Sequence, residues 1–95
     1  MEFLKEVGIS EDLINSLIKT YDEGVIDVLI LEQANVLDVI NYFKEINIQV
    51  IENLLLYKIE LFTKDINIIK EAFNRFDINN LVAEINEDIT TIDKV

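Results

Sequence analysis

The chain contains no cysteine, no histidine and no proline, and only two glycines among its 95 residues. Without cysteine there is neither a disulfide nor a thiolate nucleophile, and without histidine the commonest general base and zinc ligand are missing. Ser10 and Ser16 therefore have no imidazole to activate them. No glycine-rich phosphate loop and no calcium-binding loop pattern occurs. We expect that the protein is not an enzyme and that it needs no cofactor or metal ion.

Long apolar runs are also missing. None approaches the roughly 18 residues of a membrane span, and residues 1–10 lack the basic start and apolar run of a secretory signal. We therefore expect a cytoplasmic protein with no membrane partner. Seventeen isoleucines, ten asparagines and seven lysines against one arginine are typical of an A/T-rich genome. This composition indicates a bacterium or a phage as the source.

Basic residues are few, because eight lysines and arginines stand against nineteen acids, for a net charge of −11. Residues 1–38 hold nine acids and two lysines, residues 39–75 hold five of each sign, and residues 76–95 hold five acids and one lysine. Acidic ends repel nucleic-acid phosphates and anionic lipid, and they attract basic protein surfaces. In the alternative interpretation, the acids only keep an apolar small protein soluble.

Apolar residues recur at helical spacing along most of the chain, and no Asn-Gly or Asp-Gly hairpin signal occurs. The sequence predicts an all-α domain over residues 1–86, followed by a frayed acidic tail over residues 87–95. The most apolar stretch is residues 49–62, in which nine of fourteen side chains are apolar. We predict that it forms one continuous helix, covered on two or three sides, with Leu55 in its buried arc.

Residue preferences at helix ends position the other predicted helices. Ser10 is a favourable N-cap for the second helix, and Thr63 and Asn79 are assigned as the caps of the last two. The predicted helices are residues 2–7, 10–21, 25–31, 36–46, 49–62, 63–76 and 79–85. Residues 25–31 are apolar nearly all round, so we expect a short buried helix there.

Three stretches share one pattern: FLKEVGI at residues 3–9, YFKEINI at residues 42–48 and AFNRFDI at residues 72–78. In each, two apolar positions precede Gly8, Asn47 or Asp77, the residue types that best tolerate a positive φ at a helix end. A further helix follows each stretch. Three such units predict a short right-handed helical-repeat domain, α-solenoid-like, of about seven helices.

This pattern resembles the repeat of the mitochondrial transcription termination factor family. In that family a helix ending Leu-x-x-x-Gly-Ile precedes a second helix and a Pro-x-Leu-Phe-like element. The resemblance covers most of residues 3–85 and implies the same fold, with nucleic-acid binding as an implied function. Ile59 stands in place of the family's proline, before Glu60, Leu61 and Phe62. The family's basic groove has no counterpart in a chain of charge −11, so we do not expect nucleic acid as the partner.

Two side chains depart from the pattern of the helix predicted over residues 49–62. Leu56 falls on its polar strip, between Glu52 and Glu60, so it is a candidate exposed contact for a partner. Lys58 falls inside the apolar arc. We expect the stem of Lys58 to pack against the protein while its ammonium reaches water or a carboxylate.

The remaining candidates for partner binding are acids of the region 20–43, which contains no basic residue. They are Asp22, Glu23, Asp27 and Glu32. We interpret the protein as a small acidic module, binding or regulatory, whose partner is a protein with a basic surface. Two alternatives remain open: an acidic mimic of nucleic acid that inhibits a DNA- or RNA-handling enzyme, and a nucleic-acid-binding helical repeat.

Overall fold

The computed structural model describes all 95 residues, which form seven α-helices, two 3₁₀-helices and no β-strand. The all-α prediction is therefore confirmed. The molecule measures 35 × 24 × 22 Å along its principal axes. None of the helices combines the length and the apolar character that a membrane crossing requires. The α-helices are α1 (Glu2–Glu6), α2 (Glu11–Thr20), α3 (Glu23–Leu31), α4 (Gln33–Glu45), α5 (Ile51–Tyr57), α6 (Ile66–Asn74) and α7 (Ile78–Glu87), and the 3₁₀-helices are η1 (Ile59–Thr63) and η2 (Ile89–Lys94).

Side-chain oxygens begin several of these helices. The hydroxyl of Ser10 accepts a hydrogen bond from the main chain of Leu13 at 3.2 Å, so the predicted N-cap of α2 is confirmed. Asp22 caps α3 by accepting from the main chain of Val25 at 3.0 Å. The carboxylate of Asp22, one of the predicted partner-binding residues, therefore also satisfies one of the free N–H groups of a helix start.

The predicted caps of the last two α-helices are wrong. Asp65 rather than Thr63 caps α6, and Asp77 rather than Asn79 caps α7. Thr63 is the last residue of η1, where its hydroxyl donates to the main-chain oxygen of Glu60. A carboxylate two residues away is the better choice in both places, because its negative charge also favours the positive end of the helix dipole.

The helix predicted over residues 49–62 is interrupted. It ends at Tyr57, Lys58 adopts the non-helical angles φ −148° and ψ 69°, and the chain continues as η1. Because of this break, Ile59, Leu61 and Phe62 all enter the core. A straight helix would have carried them onward along the direction of α5. No glycine or proline marks the break, so its cause is tertiary.

The two turns that follow α1 and α4 have the same geometry. Gly8 and Asn47 both have positive φ, +88° and +71°, and the next residue donates back five positions in each turn: Ile9 to Leu4 and Ile48 to Phe43. This is the Schellman ending of a helix, and the helix ends with positive φ predicted at Gly8 and Asn47 are confirmed. The third proposed copy differs, because Asp77 has φ −70° and serves as the cap of α7.

The helices that precede these turns contact one another, since α4 packs against both α1 and α6. The helices that follow the turns also contact, with α2 against α5 and η2 against α5 and α7. Side chains tie the turns together. The ammonium of Lys44 donates to the main-chain oxygen of Val7 at the end of α1, and Asn86 accepts from the main chain of Gln49 at 2.8 Å.

The core consists of 24 buried residues, all of them hydrophobic. Its centre is aromatic: Phe43 lies 5.5 Å from both Phe62 and Phe73, measured between ring centroids. Leu55 is fully buried, as predicted. The predicted burial of the third helix is wrong, because Leu29 is the only buried residue of α3. Its Leu31 is 81% exposed.

The last residues pack onto the domain where the sequence predicts a frayed tail. Residues 89–94 form η2, and Ile92 in its middle is buried. Asp93 accepts hydrogen bonds from the hydroxyl of Tyr57 at 2.6 Å and from the ammonium of Lys58 at 3.1 Å. The ammonium of Lys58 is expected to reach water or a carboxylate, and the structure shows the second of these, with Asp93 as the carboxylate. These two donors hold the pKa of Asp93 below its usual value.

Candidate functional site

The largest concave surface lies between α3 and η1. It consists of two adjoining depressions of about 480 Å³ and 360 Å³ that share Val28 and Thr63, and we call it the α3–η1 groove. The residues that line it are Tyr21, Asp22, Gly24, Val25, Val28, Glu32, Asn35, Ile59, Glu60, Thr63 and Asp65.

The larger depression is mainly apolar. Val25 and Val28 on α3 face Ile59 on η1, and the phenol ring of Tyr21 completes this part of the groove. Val28 is 48% exposed, so about half of its side chain is open to solvent within this depression. Apolar surface of this kind in a concavity is the usual character of a binding site.

Acids stand at both ends of the groove. Asp22 and Glu60 border the larger depression, and Glu32 and Asp65 border the smaller one. No basic residue lines either depression. Asp22 and Asp65 each accept a helix-capping hydrogen bond on one carboxylate oxygen, Oδ1. The carboxylates of Glu32 and Glu60 make no hydrogen bond or ion pair within the protein. Glu32 and Glu60 are therefore the groove acids with no partner inside the protein.

Asn35 fixes the wall of the groove on the η1 side. Its side-chain amide donates to the main-chain oxygens of Phe62 and Lys64, and its side-chain oxygen accepts from the main chain of Ile66 at 3.0 Å. One side chain of α4 therefore holds the connection between η1 and α6. The sequence gives no sign of this role, because position 35 falls between the predicted helices 25–31 and 36–46 rather than within a helix.

The structure brings two of the five predicted partner-binding residues into the groove, Asp22 and Glu32. Glu23 and Asp27 are exposed on α3. At 100° per residue they lie on the side of α3 opposite Val25 and Val28, so they face away from the groove.

Leu56 does not have the exposure that was predicted for it. Its side chain is half-buried against the core, and its main-chain oxygen accepts a hydrogen bond from the hydroxyl of Tyr21. It does not line the groove. The exposed apolar residues are instead Ile18, Val28, Ile30, Leu31, Tyr57, Ile68 and Phe76.

Sequence reasoning missed Glu60, Asp65 and Ile59 as parts of the site. The sequence predicts Glu60 only as a polar position of a continuous helix, whereas Glu60 reaches the groove because the chain breaks at Lys58. Asp77 lines a separate depression of about 160 Å³, together with Lys94. Nowhere do three acidic side chains gather in a way that could hold a metal ion.

Comparisons of this chain with protein-family models, with curated proteins and with solved structures find no match. The site must therefore be interpreted from its own geometry and charge.

Proposed function

We propose that this protein is a small acidic protein-binding module of a bacterium or phage, and that its α3–η1 groove binds a basic, partly apolar segment of a partner protein. The observation that carries the proposal is the combination of apolar walls and acidic ends in one groove that no basic side chain lines. Such a surface is complementary to a segment with apolar residues in its middle and lysine or arginine beside them.

Burial of the groove's apolar walls supplies the favourable free energy in this proposal. Val28 is nearly half exposed, and covering it together with Val25 and Tyr21 removes apolar surface from water. The acids contribute chiefly to the rate of encounter and to the choice of partner, because exposed charges act over about 8 Å at physiological ionic strength. The net charge of −11 strengthens the attraction of a basic partner at longer range.

We further propose that the helix pairs form a short right-handed helical repeat, of the kind seen in the mitochondrial transcription termination factor family. The matched Schellman turns at Gly8 and Asn47 support this proposal. So does the order of elements, because an α–α–3₁₀ sequence occurs as α4, α5 and η1 and again as α6, α7 and η2. In a repeat of this kind, exposed surfaces between neighbouring units are common binding sites.

The test uses a defined probe, a synthetic peptide of roughly 13 residues with lysines at both ends and leucines at i, i+3, i+4 and i+7. Binding to the isotope-labelled full chain is followed by amide chemical shifts and by fluorescence anisotropy. We expect saturable shifts at Val25, Val28 and Glu60. Binding that perturbs other surfaces, or no binding at millimolar concentration, would contradict the proposal.

Two charge-matched double variants test the role of the groove acids. Glu32→Lys with Glu60→Lys reverses the free acids of the groove, and Glu23→Lys with Asp27→Lys makes the same change of net charge on the far side of α3. We expect the groove pair to weaken peptide binding about tenfold and the control pair to have a smaller effect. Equal losses would mean that only the overall charge attracts the peptide. A gel shift with duplex DNA tests the nucleic-acid alternative on the same samples.

A further inference from the structure

We infer that the segment which occupies the α3–η1 groove is an amphipathic helix of about three turns with a basic side chain near each end. This inference rests on the proposed function and specifies the conformation, length and charge pattern of the ligand. Three observations support it: the shape of the α3 wall, the spacing of the acids, and the absence of a strand edge that could pair with an extended ligand.

The α3 wall has the form that packs against another helix. Gly24, Val28 and Glu32 follow one another at intervals of four residues, so they form one row along the helix surface. Rows at this interval are the ridges between which the side chains of a second helix pack. Gly24 has no side chain, and an added Cβ would meet only the carboxylate of Asp22 at 3.6 Å. This position leaves room for the close approach of another backbone.

The acids set the length of the ligand. Asp22 and Glu32 are the cap residues at the two ends of α3, Asp22 with Glu60 in the larger depression and Glu32 with Asp65 in the smaller one. From Asp22 to Glu32 the chain rises about 15 Å along α3, at 1.5 Å per residue. A helix of about ten residues spans this distance. Its basic side chains would then reach an acid at each end, while its apolar side chains lie against Val25, Val28 and Ile59.

An extended ligand fits less well, because it needs main-chain partners. The protein has no strand whose edge could pair with it. The main-chain oxygens of Phe62 and Lys64 beside the groove already accept from Asn35, and the oxygen of Leu56 accepts from Tyr21. A helix pairs its own main-chain N–H and C=O groups in hydrogen bonds and presents only side chains to its surroundings. Its apolar side chains can therefore pack against the apolar walls of the groove.

The experiment compares three synthetic peptides on the full chain. The first is the amphipathic peptide described above. The second has the same charge and the same leucines but two prolines in its middle, which prevent a helix. The third carries all of its lysines at one end. We expect the proline peptide to bind at least about tenfold more weakly, and the one-ended peptide to bind several-fold more weakly, than the first.

A substitution in the α3 wall of the protein, rather than in the peptide, tests the same inference. Gly24→Leu places a side chain on the α3 wall without changing the charge, and leucine favours a helix, so α3 should remain folded. Gly24→Leu should weaken binding of the helical peptide about tenfold, with an unchanged far-ultraviolet circular dichroism spectrum. As the matched control, Ala34→Leu makes a similar addition at an exposed position of α4 that does not line the groove.

The outcomes separate this inference from the proposed function. If the proline peptide binds in the groove as tightly as the helical one, the proposed function stands and the helical ligand is overturned. If no peptide binds there, both are overturned. If instead the free protein dimerises with rising concentration through Val25 and Val28, a second copy of this chain occupies the groove, and both proposals are again wrong.

Discussion

The hydroxyl of Tyr21 donates a hydrogen bond of 2.5 Å to the main-chain oxygen of Leu56, 35 residues further along the chain. That oxygen belongs to the last turn of α5, where carbonyl groups have no partner within the helix. Tyr21 thus links the end of α2 to the end of α5 and, at the same time, lines the α3–η1 groove. The hydroxyl of Tyr21, a residue outside α5, therefore stabilises the chain next to the break at Lys58.

Tyr21→Phe should therefore loosen the connection between α5 and η1. It keeps the ring and removes the hydroxyl, so the expected loss in the free energy of unfolding is about 0.5–1.5 kcal/mol. Urea titration measures the loss, and amide exchange at Lys58 and Ile59 locates it. An unchanged stability together with unchanged exchange at these residues would show that the bond does not hold the break.

Substitutions at Leu55 and Leu56 should have different costs. Leu55 is fully buried, so Leu55→Ala should lower the free energy of unfolding by about 2–5 kcal/mol. Leu56 is half-buried, and Leu56→Ala should cost about 1 kcal/mol. Denaturant titration of the two variants gives both values. If the losses are equal, the orientation of α5 is not the one described.

Asn35→Ala should destabilise the connection between η1 and α6. It removes the partner of two main-chain oxygens and of one main-chain N–H, so we expect a loss of about 1–3 kcal/mol. Asn41→Ala is the matched control, because Asn41 is an exposed asparagine of the same helix. It should change the stability by less than about 0.5 kcal/mol. Similar losses in the two variants would show that the hydrogen bonds of Asn35 do not stabilise the connection between η1 and α6.

Gly8→Val should destabilise the protein by about 1–2 kcal/mol, because the turn after α1 requires φ +88°. Space does not limit this position, since an added Cβ would have only the ammonium of Lys44 near it, at 3.7 Å. Asn47→Gly, at the equivalent turn with φ +71°, should be close to neutral. Thermal unfolding compares the two variants. A tolerated valine at position 8 would contradict the backbone origin of the effect.

The anchoring of η2 should weaken in acid. Hydrogen bonds from Tyr57 and Lys58 lower the pKa of Asp93 in the folded protein, so its carboxylate adds stability above its unfolded pKa of about 3.9. This contribution is lost as the pH falls from that value through the lower folded pKa. Asp93→Asn should lower the melting temperature at pH 7. Near pH 2, the difference in melting temperature between this variant and the unmodified protein should become smaller.

The matched control for Asp93 is Asp38→Asn, which makes the same change of charge at an exposed position of α4. It should not lower the melting temperature at pH 7. If Asp93→Asn and Asp38→Asn have the same effect at both pH values, the hydrogen bonds to Asp93 do not anchor η2.

Some features of this protein follow from the sequence alone, because they depend on residues close together along the chain. The helical spacing of apolar residues predicts nearly every helix, Ser10 marks the start of α2, and Gly8 and Asn47 mark the ends of α1 and α4. The excess of acids in residues 1–38 is likewise a property of the sequence. Local hydrogen bonds and backbone preferences suffice to determine such features.

The tertiary structure determined the features that depend on distant residues. The end of α5 at Tyr57 depends on contacts with Tyr21 and Asp93, and the packing of η2 depends on Tyr57 and Lys58. The groove arises only because η1 turns beside α3, which brings Glu60 near Asp22. The spacing of apolar residues identifies the buried face of a single helix, but it does not predict where two helices contact each other. The break at Lys58 therefore could not be predicted from residues 49–62, because its partners lie 35 or more positions away.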